Sequence, residues 1–140
     1  MKIFTEFGSR WDVARVLSEL GQSTLALGNE LEAEAFWRES LRLARESEGI
    51  LTTMDALFGF ASLLAKRGDH RNALELLMIC LNHPSTVAET KARAKKLAAD
   101  VKEKLTLDEI QSAETFAEDT AFEVVVKEIL GQSKKMPESN

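Results

Sequence analysis

Cysteine, proline, β-branched residues and long apolar runs are all scarce in this chain of 140 residues. A single cysteine, Cys80, rules out an internal disulfide and leaves a reducing, cytoplasmic setting as the expectation. Neither of the two prolines lies between Met1 and His83, so nothing there forbids long helices. β-Branched residues are few outside Val124–Val126, which disfavours strands. No apolar run approaches the ~20 residues a membrane helix needs. The opening stretch MKIFTEFGSRW lacks the apolar centre of a signal peptide. With a net charge of −5, the chain also lacks the basic excess of a general nucleic-acid binder. There is no phosphate-binding glycine loop, no nucleophile elbow and no spacing of metal ligands, so no enzyme, cofactor or metal site is expected.

What the chain has in quantity is Ala, Leu, Glu, Lys and Arg, the strong helix formers. Apolar residues recur at helical spacing in successive segments, and the fold class read from them is all-α. Helices are expected over residues 11–27, 30–47, 51–67 and 70–82, with Ser9 and Asp12 at the first cap. Gly28, Gly49 and Gly68 mark stops, Asn29 and Asp69 read as caps, and Pro84 blocks continuation. Three capping boxes then follow: TVAE from Thr86, TLDE from Thr106 and TAFE from Thr120. They announce three more helices, about seven in all. Gly131 is expected to close the last, with a polar, disordered tail over 132–140.

Two segments match at a period of 40. LGQSTLALGNELEAEAFWRESL aligns with FASLLAKRGDHRNALELLMICL. Gly28 and Gly68 occupy the turns, Ala33 and Ala73 the close crossing, and Trp37 and Leu77 the next turn. Ser40 and Cys80 come one turn later, followed by Leu41 and Leu81. Gly21 and Ala61 are small residues on the first helix of each pair. Small residues at a crossing with large ones beside them are what a stacked helix-turn-helix repeat requires.

The pattern resembles the tetratricopeptide repeat family. Leu20–Gly21, the Gly-Asn or Gly-Asp turn, the alanine, Trp37 and the closing Ser-Leu follow that family's order. The second unit departs from it, with Phe60–Ala61 and Leu77, and the period of 40 exceeds the family's 34. Long units of this kind are similar to the C-terminal arrays of bacterial STAND signalling ATPases and related transcriptional activators. The resemblance covers Phe4 to Leu130. It implies one α-α superhelical domain over 1–131, with repeats at about 11–49 and 51–84 and capping helices at about 86–131. Since stable arrays need about three repeats, the chain is either the end of a longer protein or completed by its C-terminal helices.

The same resemblance implies a non-catalytic scaffold that binds a protein or peptide partner along a concave face. That face would carry Arg15, Ser18, Glu19, Gln22 and Leu25 from the first unit. From the second it would carry Asp55, Phe58, Gly59, Ser62 and Lys66. The set lacks the lysines and asparagines that clamp a peptide carboxylate in some family members, which favours a helix or an extended segment as guest. Alternatives are a structural cap or self-association module of a larger regulator, and a nucleic-acid contact through the basic run Lys91–Lys104. That run is followed by seven acids and one lysine between Leu105 and Leu130, so a basic helix facing an acidic pair is the simpler expectation. His70 and His83 read as surface residues, Cys80 and Trp37 as core, and Trp11 as an exposed remnant of a covered face. Glu30, Glu32 and Glu34 read as acids at a helix start, where the macrodipole favours them.

Overall fold

A computed structural model describes the backbone of residues 10–138 except position 48, and the side chains of 13–131 except 47 and 48. Seven α-helices are present among the described residues, with no strand. They are α1 (Arg10–Ala26), α2 (Glu30–Ser47), α3 (Ile50–Lys66), α4 (His70–Asn82), α5 (Ala88–Lys102), α6 (Leu107–Asp119) and α7 (Phe122–Glu138). The cap proposed at Ser9 and the side chain of Trp11 lie outside the described residues.

The backbone bonds at the two repeat turns correspond, while the side-chain cap does not: Asp69 accepts from Asn72 N–H at 3.4 Å. Gly28 and Gly68 hold φ of 90° and 89°, the left-handed region that glycine enters without a Cβ clash. Around each, the same two bonds close the preceding helix. Gly28 N–H donates to Leu25 O at 2.9 Å and Asn29 N–H to Thr24 O at 3.0 Å. Forty residues on, Gly68 donates to Ala65 O at 3.1 Å and Asp69 to Leu64 O at 2.9 Å. Each pair satisfies carbonyls that a helix end leaves orphaned. Deeper in the pairs, Ser40 Oγ donates to Ala14 O at 2.6 Å, and Cys80 Sγ to Met54 O at 3.5 Å.

Packing follows from these turns. The α1/α2 and α3/α4 hairpins stack, with α1 against α3. The next helix, α5, continues that row by packing on α3 and α4, while α6 packs on α4. Thus α5 and α6 cover the outer side of the second hairpin. The expected capping set ends there, because α7 turns back and lies against α2 of the first hairpin. It also runs through Gly131 to Glu138 rather than stopping at the glycine. A glycine costs a helix only ~1 kcal/mol, and strong helix formers flank this one.

Of the three capping boxes, one forms. Thr106 accepts from Glu109 N–H at 3.1 Å, and the Glu109 carboxylate accepts from Thr106 N–H at 2.9 Å. The Thr86 hydroxyl instead donates to Cys80 O at 2.7 Å, and Val87 takes the cap position of α5. The reason is Pro84: it has no N–H for the carbonyl four residues back, so Thr86 supplies the missing donor. At the third box, α7 starts at Phe122, and Val124 N–H donates to Ala121 O at 3.1 Å. The cap position is therefore Ala121, one residue beyond Thr120.

Trp37 locks the two hairpins together. It is fully buried, and its indole N–H donates to Ser18 O at 3.1 Å. A Cβ added at Gly21 would stand 2.6 Å from the indole, and one at Gly59 2.2 Å. Both glycines are thus the space the ring occupies. Gly59→Ala is expected to cost about 1–3 kcal/mol by overpacking, and Trp37→Ala about 3–5 kcal/mol. With the indole removed, Gly59→Ala should become neutral or stabilising, since alanine is the better helix former by ~1 kcal/mol. Urea unfolding of the double-mutant cycle tests this; additive costs would show that the ring does not fill the Gly59 space.

Candidate functional site

Three rows of side chains meet on the face formed by α1, α3 and α5. On α1, Arg15 and Glu19 are exposed and paired at 3.4 Å. Gln22 and Leu25 are half-buried in the same row. The α3 row is Asp55, Phe58, Ser62 and Lys66, with Phe58 packed against the core and Lys66 exposed. The third row comes from α5: Thr90, Arg93 and Leu97.

Polar bonds knit the rows. Arg93 Nη1 donates to Gln22 Oε1 at 3.1 Å, reaching from α5 to α1. Thr90 Oγ1 donates to Asp55 Oδ1 at 2.6 Å. Lys66 Nζ donates to Leu25 O at 3.4 Å, and Ser62 Oγ to Phe58 O at 3.1 Å. Beyond Ser62 and Lys66 the face opens into a hollow of about 330 Å³, bounded further by His70, Leu97, Asp100 and Lys104.

Two residues of the expected set are absent from this surface. Ser18 is buried under Trp37, where its carbonyl serves the indole. Gly59 is buried against the same ring. The α5 row, by contrast, was not anticipated. Thr90, Arg93 and Leu97 at i, i+3 and i+7 do share one helical face, but which neighbour that face meets depends on how α5 docks. A mid-helix glycine such as Gly59 did carry a signal, because its cost asks for a packing reason.

Asp55 is a half-buried acid of the face. Burial pushes its carboxyl above the ordinary value, with Glu89 and Glu19 adding to the rise and the Thr90 bond and Arg93 opposing it. On the opposite side of the molecule the balance reverses at Glu34. Burial raises its pKa, yet the bonds and charges of Arg38 and Arg67 outweigh this and hold it below the usual range. Arg67 bonds Glu30 at 3.1 Å and Glu34 at 3.2 Å, so two acids read as dipole partners also tie α2 to the end of α3.

Cys80 and His83 lie away from the exposed part of the α1–α3–α5 face, and His70 borders its hollow. Cys80 is buried and its thiol is pushed up to about 12, chiefly by desolvation, so it carries no thiolate at neutral pH. His83 is half-buried: its Nδ1 accepts from Ser85 N–H at 3.0 Å, and its ring meets Phe122 edge-on at 5.2 Å. His70 is half-buried too, with Nδ1 enclosed. The basic helix faces its acidic neighbour through Lys102 and Glu114 at 3.6 Å, while Lys95 and Lys96 are exposed. Among the described residues no three His, Cys, Asp or Glu side chains gather to hold a metal ion, and no helix is long and apolar enough to cross a membrane.

The stacked hairpins with paired left-handed glycine turns define a helical-repeat protein of the kind that generally mediates protein–protein contacts. The family model for the tetratricopeptide repeat matches residues 12–82, just over half of the chain, and the chain belongs to that family. Comparison with curated proteins and with solved structures gives no match.

The raised pKa of Asp55 has a consequence for stability. Above its folded pKa the charged carboxylate sits in a desolvated site and costs stability. As pH falls through that value the folded state takes up the proton and the cost disappears. Asp55→Asn is therefore expected to be more stable than the parent at neutral pH. Its advantage should close as pH falls toward the ordinary value of 3.8. Urea titrations of both proteins across that range check it; a pH-independent gap would remove the electrostatic account.

Proposed function

We propose that the chain is a non-catalytic interaction module that holds an extended segment of a partner protein along the α1–α3–α5 face. The observation behind this reading is the convergence of three rows with Arg93 bonded to Gln22. An α-helix is ~10–12 Å across and needs a bed of that width. The Arg93 guanidinium bonded to Gln22 crosses that bed from α5 to α1, which favours a narrower, extended guest. Arg15, Glu19, Lys66 and Arg93 offer charges of both signs at the rim. Phe58 and Leu25 offer the apolar floor. The hollow beside Lys66 and Lys104 is suited to an acidic or polar end of the guest. The period of 40, longer than that of most repeats in the family, supports a setting in a bacterial regulatory or signalling protein.

Arg15→Glu and Lys66→Glu change exposed charges and should leave helicity intact. Phe58→Ala removes the floor. Affinity capture from cells that make the protein, with the bound proteins identified and their affinities measured, should show a loss of about tenfold or more for Phe58→Ala, as for a buried aromatic anchor. The two charge reversals should weaken binding in a salt-dependent way. Unchanged affinity in all three, with helicity retained, would place the binding surface elsewhere.

A further inference from the structure

A cavity of about 460 Å³ lies beneath α7, on the side of the molecule away from the α1–α3–α5 face. Five helices wall it: α2, α3, α4, α6 and α7. Its floor is apolar, formed by Phe60, Leu63, Leu76, Phe116 and Ile129. The charges around that floor are not balanced. Four carboxylates line the cavity, those of Glu34, Asp69, Glu75 and Glu128, against the two guanidinium groups of Arg38 and Arg67. Both arginines are already engaged at the α2 wall. Arg67 bonds Glu30 and Glu34, and Arg38 bonds Glu34 and the Ile129 carbonyl. The α4 wall has no such cover. Asp69 accepts from Asn72 at the start of the helix. Glu75 has only 16% of its side chain exposed. Its cation is Arg71, which donates to Ser112 Oγ at 2.8 Å and comes only within 3.9 Å of the carboxylate. Burial pushes the Glu75 carboxyl above its ordinary value, and Asp69 and Glu128 push the same way against Arg71.

We infer that this cavity binds a small organic cation: an ammonium group carried on an apolar body such as an aromatic ring. The volume falls within the ~300–1,000 Å³ of small-molecule sites, which pair an apolar lining with a few placed polar groups. The floor calls for an organic body, and the walls fix its charge. A neutral guest would strip water from Glu75 and return no counter-charge, and an anion would be repelled by Glu75 and Glu128 together. A bare metal ion would make no use of Phe60 and Phe116, and among the described residues no three ligating side chains gather to hold one. An ammonium between Glu75 and Glu128 supplies the missing positive charge, while its body covers Leu63, Leu76 and Phe116. Such a guest ties α7 to α4 across two acids of like charge. None of these residues belongs to the α1–α3–α5 face, so the inference does not depend on that reading.

Three indoles of similar shape and different charge serve as probes on the full chain: tryptamine, tryptophol and indole-3-propionate. Methyl resonances of Leu63, Leu76, Val125 and Ile129 report from the cavity lining. Each probe is titrated to about 10 mM, well past a Kd of about 1 mM. Tryptamine is expected to shift these methyls saturably. Tryptophol should bind about tenfold more weakly, the difference a charge-assisted hydrogen bond makes. Indole-3-propionate should leave the methyls unmoved. Glu75→Gln keeps the shape and removes the charge, so it should weaken tryptamine about tenfold and erase its lead over tryptophol. Glu128→Gln, at an exposed residue, should act in the same direction without disturbing the fold. Glu123→Gln removes a charge from α7 outside the cavity and should leave the affinity as it was. The absence of a saturable tryptamine shift at these methyls overturns the inference. So does equal binding of tryptamine and tryptophol, full tryptamine affinity in both Glu75→Gln and Glu128→Gln, or an equal loss in Glu123→Gln.

Discussion

The indole of Trp37 occupies a space that exists only because two other helices carry glycine where it passes. Gly21 belongs to the partner helix within its own hairpin, and Gly59 to the first helix of the next. One side chain on α2 thus sets the distance of closest approach for α1 and α3 together. Its N–H ends on Ser18 O, which removes the one polar atom that burial would otherwise penalise. Phe60 stands 6.2 Å from it at a tilt and extends the aromatic contact toward the back of the molecule. In the second unit Leu77 takes the equivalent position, equally buried but needing less room.

A charged group lies just outside this contact. Arg38 sits over the Phe60 ring at 5.7 Å, bonds Glu34 at 2.8 Å and reaches the backbone of α7 at Ile129. Arg67 joins the same acid from α3. Surface ion pairs contribute only about 0–1 kcal/mol each. Their effect here is directional. They orient the guanidinium that meets α7, while the apolar stripe of α7 supplies the contact area. The last helix is therefore attached to the first hairpin through a few groups, whereas α5 and α6 are built into the stack.

Much of the architecture was legible because its causes are local. A left-handed turn needs glycine, a proline ends a helix, and a repeat of small and large residues at 40 positions can be read without coordinates. The capping boxes show where that legibility stops. Thr106 behaves as its neighbours in sequence suggest. Thr86 does not, because Pro84 leaves the Cys80 carbonyl without a donor and the hydroxyl goes there instead. Thr120 misses its box by one residue, since it closes α6 in an extended conformation and α7 begins at Phe122.

The face of the repeat was legible in part for the same reason. Helical spacing put Arg15, Glu19, Gln22 and Leu25 in one row and Asp55, Phe58, Ser62 and Lys66 in another. It also put Ser18 and Gly59 beside them. Periodicity orders residues around a helix, but rotation about the helix axis is set by packing, and Trp37 turned both of these inward. So the sequence by itself determined the helices, the doubled hairpin and most of its turns, all matters of backbone propensity and spacing over a few residues. Only the tertiary structure decided that α5 would contribute the third row of the face. It alone decided that α7 would fold back on α2. Both depend on contacts between residues dozens of positions apart, where shape and burial outweigh local preference.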